Sequence, residues 1–128
     1  DFVRATEECL RAPVDAQGAC IKRLGQLSGA DTKDPPRSTE NYCASVPSEF
    51  YKDCILGGLR QVIRVNGIDS TGTAASFCSA LSGSVAKEIC YDDYAHQLKD
   101  MFNDTKQRLS LCGLFEGPYQ ESCRVNQE

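Results

Sequence analysis

Apolar side chains at Tyr91, Tyr94, Ala95, Leu98, Met101 and Phe102 recur at i, i+3, i+4, i+7, i+10 and i+11. This is the spacing of one buried stripe on a helix, and it predicts a helix from about Ser84 to Asn103. A second stripe, Phe50, Cys54, Ile55, Gly58, Leu59 and Val62, predicts another, with Ser48 and Glu49 at its start. Asn66-Gly67 and Ser70-Thr71-Gly72 are turn signals that end this second helix. The polar run from Ser28 to Tyr42, with Asp34-Pro35-Pro36 inside it, reads as the longest linker, 28–42.

The cysteines sit at 9, 20, 43, 54, 78, 90, 112 and 123, so that the first members of successive pairs recur every 34, 35 and 34 residues. A chain breaker lies inside each pair. Pro13 and Pro47 come four residues after the first cysteine, Gly83 comes five after Cys78, and Gly117-Pro118 begin at five after Cys112. Proline cannot continue a helix, so each pair straddles a turn. Ala12, Val46, Leu81 and Phe115 precede the breakers and are candidate plugs between the paired helices.

A fixed period near 34 with one helical pair per period is the signature of a helical repeat array. The fold predicted is all-α: four disulfide-stapled αα-hairpin repeats, approximately 1–27, 37–67, 72–103 and 104–128, forming a short solenoid-like single domain over 1–128. The hairpin geometry pairs Cys9 with Cys20, Cys43 with Cys54, Cys78 with Cys90 and Cys112 with Cys123. Each bridge closes a loop of about a dozen residues, worth on the order of 2–3 kcal/mol by restricting the unfolded chain.

This layout of cysteine-paired helical hairpins resembles the exported Sel1-like and tetratricopeptide-like repeat proteins. The resemblance spans the chain as architecture and carries no activity with it. The tetratricopeptide pattern of Trp, Leu-Gly, Tyr, Ala and Phe is not met, and the ten-residue gap between cysteines is longer than a Sel1-like staple. Twin cysteine pairs also mark the helical hairpins of the mitochondrial intermembrane space. There each pair lies along one helix, which Pro13, Pro47 and Pro118 would break.

Composition narrows the setting. Eight cysteines, an even number at regular spacing, predict an oxidising extracytoplasmic location: secreted, periplasmic or cell-surface. The chain starts at Asp1 without an apolar leader, as expected of a protein whose export signal has been removed or of a fragment. The most apolar stretch, Cys54 to Val65, is interrupted by Arg60, Gln61 and Arg64, which argues against membrane insertion. With a net charge of −4, a pI near 5.0 and its 14 basic residues scattered, the chain lacks the concentrated positive field that nucleic acid requires.

Candidate chemistry is sparse. His96 shares one helix face with Asp92 and Asp100 at four-residue spacing, and a solvated face explains the set more simply than a metal site. No two cysteines are closer than eleven positions, unlike the close pairs of structural zinc sites. Asp92 and Asp93 point about 100° apart on a helix, which does not suit paired catalytic carboxylates. Gly57-Gly58 and Gly25 read as places of close helix approach, with Gly58 on the buried stripe. Asn103-Asp104-Thr105 is an N-glycosylation acceptor if the source is eukaryotic.

These readings lead to a non-enzymatic protein interaction or scaffold module, without cofactor or metal. Its partner would be another protein or an assembly subunit, met on the polar faces of repeats two and three at Arg60, Arg64, Asp92, Asp93 and Lys99. The alternatives are an accessory structural subunit of a larger membrane-associated or extracellular assembly, with linker 28–42 against a neighbour, and a carrier of a small apolar ligand.

Overall fold

In a computed structural model describing residues 1–30, 32–67 and 72–128, each breaker adopts the same extended geometry and starts the second helix of a pair. Pro13 has φ −53° and ψ 144°, Pro47 −55° and 142°, Gly83 −89° and 141°, and Glu116 −58° and 141°. These are polyproline-like angles, which turn the chain out of one helix and into the next. Three residues after the first cysteine of every pair, a backbone N–H closes a tight turn onto the cysteine carbonyl. The donors are Ala12 to Cys9 (3.1 Å), Val46 to Cys43 (3.4 Å), Leu81 to Cys78 (3.3 Å) and Phe115 to Cys112 (3.1 Å). They are the four candidate plugs. Val46, Leu81 and Phe115 are buried, whereas Ala12, too short to reach as far, is half-buried.

Among the described residues the chain holds eight α-helices, one 3-10 turn and no strand. The helices are α1 (Phe2–Leu10), α2 (Val14–Ser28), α3 (Pro35–Cys43), α4 (Tyr51–Asn66), α5 (Thr73–Ala80), α6 (Ser84–Met101), α7 (Thr105–Cys112) and α8 (Gly117–Asn126). Disulfides join Cys9–Cys20, Cys43–Cys54, Cys78–Cys90 and Cys112–Cys123, with Cα separations of 5.5–5.6 Å, so each closes one consecutive helix pair. Contacts divide the chain into two compact units, Asp1–Gln61 and Val62–Glu128, where the sequence reads as one domain; each unit contains two of the bridges.

In the first unit, the Asp1 carboxylate accepts the Val3 N–H at 3.0 Å and caps α1; Asp34 does the same for Arg37 at 3.4 Å and caps α3. The run 28–42 is therefore not a linker over most of its length. Pro35 and Pro36 occupy the first turn of α3, where a missing N–H costs nothing and the fixed φ favours the helix. Thr39 and Tyr42 bury the inner face of α3, and the Tyr42 hydroxyl meets Thr6 Oγ1 of α1 at 2.6 Å. Where α2 passes α4, a Cβ on Gly25 would strike the Cys54 carbonyl, and one on Gly57 would strike the Lys22 carbonyl and come within 2.7 Å of the Gln26 nitrogen. Gly25 and Gly57, both read from the sequence as places of close approach, are thus such places. Ser48 caps nothing: Pro47 precedes a 3-10 turn, Ser48–Phe50, that leads into α4, and Phe50 is half-buried.

In the second unit, Tyr91, Tyr94, Ala95 and Leu98 are buried along α6, as the stripe predicts. Met101 is not: it is 53% exposed, because the helix stops there and Phe102 turns into extended backbone (φ −125°, ψ 128°). Phe115 packs against Tyr91 and Tyr94, with ring centroids 4.9 Å from each, and Tyr119 stacks on Tyr91 at 4.6 Å. The fourth breaker is Glu116 rather than Gly117-Pro118, which instead fill the first turn of α8. Ser82 accounts for the extra residue between Cys78 and Cys90, since Gly83 takes up the extended position one place later than Pro13 and Pro47 do. Of the turn signal Ser70-Thr71-Gly72, only Gly72 lies within the described residues; its φ of 73° favours glycine, and it precedes α5.

Candidate functional site

The candidate partner-binding residues sit on the two longest helices. Asp92, Asp93 and Lys99 belong to α6, and Arg60 and Arg64 lie one turn apart on α4. On α6 the inner face is committed to the Cys78–Cys90 bridge and to the buried Tyr94 and Leu98, which turns Asp92, His96, Lys99 and Asp100 outward. Asp92 and Lys99, seven residues apart, share one exposed face; Asp93 lies about 100° round and is half-buried, accepting from Gln97 Nε2 at 2.9 Å. Arg60 and Arg64 are exposed.

His96 is exposed, and its Nδ1 lies 2.8 Å from the Asp92 carbonyl oxygen and 3.9 Å from Asp92 Oδ2. This is a contact within one helical turn on a solvated face. Among the described residues no three His, Cys, Asp or Glu side chains gather as a metal ion would need, and every cysteine is in a disulfide. No helix among the described residues is long and apolar enough to cross a membrane. Lys99 Nζ reaches the Glu128 carbonyl oxygen at 3.2 Å, so the outward face of α6 runs up to the segment that follows α8.

That segment is held from below. Arg108, largely buried, donates through Nη1 to the Phe102 carbonyl (2.6 Å) and through Nη2 to Thr105 Oγ1 (3.1 Å) and the Gln127 carbonyl (3.3 Å). The buried Gln127 amide donates to the carbonyls of Ala95 (2.9 Å) and Cys123 (3.1 Å). Together these ties fix α6, α7 and α8 to one another. The other end of α6 is held at Lys87, whose ammonium lies 3.0 Å from Glu116 Oε1; that hydrogen bond raises the lysine above its ordinary pKa. Burial, with the neighbouring Tyr91 adding to it, pushes the Tyr94 phenol up to about 12, and its hydroxyl has no hydrogen-bond partner.

Two glutamines in equivalent places escape the sequence reading. Gln17 Nε2 donates to the carbonyls of Leu10 and Ala12, both at 3.0 Å, while Gln120 Nε2 donates to those of Gly113 (3.3 Å) and Phe115 (2.9 Å). Each lies eight residues after the first cysteine of its pair and clamps the turn between two helices. That common offset was the available signal. Arg108 offered none, since one arginine among scattered charges reads as a surface residue.

The chain matches no protein-family model, no curated protein and no solved structure.

Proposed function

We propose that the chain is a non-catalytic, extracytoplasmic interaction module: disulfide-closed helix pairs, stacked within each unit as in helical repeat proteins, that present polar helix faces to a protein partner. One observation carries this reading. The outward face of α6, with Asp92 and Lys99, is exposed on a helix whose opposite side is stapled by Cys78–Cys90 and packed around the buried Tyr94 and Leu98. Such a surface loses little conformational entropy of the backbone when it binds, which favours recognition by complementary charge. Four intramolecular disulfides support an oxidising compartment, where bridges form and persist. Arg60 and Arg64, exposed on α4, are a separate candidate contact.

The test is affinity capture from the fluid or envelope fraction of the producing cells, with wild type beside the Arg60→Glu/Arg64→Glu and Asp92→Lys/Lys99→Glu variants. The reading expects a protein retained by the wild type and lost from at least one variant whose melting temperature is unchanged. Retention by all of them would overturn it. Concentration-dependent growth in mass by light scattering, independent of these charges, would favour the accessory structural subunit.

A further inference from the structure

We propose that Asn103 accepts an N-linked oligosaccharide during passage through a eukaryotic secretory route. Asn103-Asp104-Thr105 is the one Asn-x-Ser/Thr triplet in the sequence. Transfer requires a reachable carboxamide, a hydroxyl two residues on, and backbone free of helical hydrogen bonding. Asn103 is exposed in the short connection between α6 and α7. Its neighbours are extended, Phe102 at φ −125° and ψ 128°, Asp104 at φ −83° and ψ 114°.

The side chains around Asn103 are spent on the fold, and its own is not. Asp104 Oδ1 accepts the Lys106 N–H at 3.0 Å to cap α7, and Thr105 Oγ1 accepts from Arg108 Nη2 at 3.1 Å. Among the described residues the Asn103 carboxamide makes no hydrogen bond or ion pair, so a substituent on it displaces nothing. Disulfide formation and glycan transfer share one compartment in the secretory route, so the four bridges and the acceptor are mutually consistent.

In the transfer, Asn103 Nδ2 attacks the anomeric carbon of a lipid-pyrophosphate-linked oligosaccharide. The N–C bond forms, the C–O bond to pyrophosphate breaks, the lipid pyrophosphate leaves with the bonding pair, and a carboxamide proton passes to a base of the transferase. The step is redox-neutral. The Arg108 contact uses a lone pair of the exposed Thr105 hydroxyl, and a glycan on Asn103 projects from the surface between α6 and α7.

The experiment is secretion of the full chain from cultured eukaryotic cells, followed by peptide N-glycosidase treatment and mapping by mass spectrometry. The wild type is expected to carry a glycan whose removal leaves Asp at position 103. Asn103→Gln and Thr105→Ala should lose it, and Thr105→Ser should keep it. Because Thr105→Ala also removes the acceptor for Arg108, Asn103→Gln is the decisive variant, and its melting temperature should equal that of the deglycosylated wild type. A secreted, fully disulfide-bonded wild type without the modification would show the triplet to be a chance match. A glycan persisting in Asn103→Gln would equally overturn the assignment.

Discussion

Gly57→Ala sets two effects of known sign against each other. Replacing glycine by alanine inside a helix gains about 1 kcal/mol from propensity alone, so an exposed site would be stabilised. At Gly57 the new methyl would strike the Lys22 carbonyl and sit 2.7 Å from the Gln26 nitrogen, both main-chain atoms of α2. Neither can rotate aside, so α2 and α4 must separate by about 1 Å, enough to forfeit a quarter to a half of the dispersion energy of each contact along the crossing. Overpacking of this kind costs about 1–3 kcal/mol, and rigid neighbours place it at the upper end. The expected net loss is about 2 kcal/mol, a fall in melting temperature of roughly 5–10 °C for a chain of this size. Gly25→Ala meets the Cys54 carbonyl, whose carbon would lie 2.9 Å away, and should lose a similar amount. Because both act on one crossing, the double variant should lose less than their sum. Gly117→Ala is the control, since its Cβ would have nothing within 4 Å and it lies in the first turn of α8. Thermal unfolding followed by circular dichroism with the disulfides intact reads all four. A Gly57→Ala protein as stable as Gly117→Ala would refute the close-approach argument.

Leu98→Ala should destabilise by about 2–5 kcal/mol by opening a cavity at a fully buried position, whereas the exposed His96→Ala should change the same urea midpoint little. Gln120→Ala and Gln17→Ala should each cost about 1 kcal/mol in chemical denaturation, and Gln120→Glu should cost more at neutral pH, since a carboxylate would then face two carbonyl oxygens. Tyr94→Phe should be neutral or stabilising by about 1 kcal/mol at pH 7, because it removes a buried hydroxyl without a partner. The phenol is raised in the folded state, so its protonated form binds the fold. That contribution is complete below the ordinary tyrosine value near 10 and disappears as pH rises toward about 12. Stability measured across this window should fall less steeply in Tyr94→Phe than in the wild type.

What was legible in the sequence was whatever recurs or follows one helical period. The cysteine spacing yields all four bridges, and the stripe from Tyr91 to Leu98 yields the inner face of α6, because burial on one side of a helix leaves a pattern in one dimension. Proline was ambiguous. Pro35 and Pro36 read as a break and are instead the first turn of α3, a distinction that depends on Asp34 capping the Arg37 N–H. Met101 continued the apolar period to the last residue of α6, where the side chain is exposed, and periodicity alone does not mark that end. Gly57 and Gly25, read as places of close helix approach, are such places, because a Cβ on either would meet main-chain atoms of the facing helix. The exposed set on α6 followed from the stripe as its complement, while the tie from Lys99 to the Glu128 carbonyl, a long-range contact, did not.

The central claim, recognition through the outward face of α6, is tested most directly by hydroxyl-radical footprinting of the captured complex against the free chain. The account predicts protection of peptides bearing Asp92, His96 and Lys99, with the exposed side chains at Lys33, Asp34 and Arg37 reacting equally in both states. Protection confined to that preceding segment and the start of α3, with α6 unchanged, would contradict it.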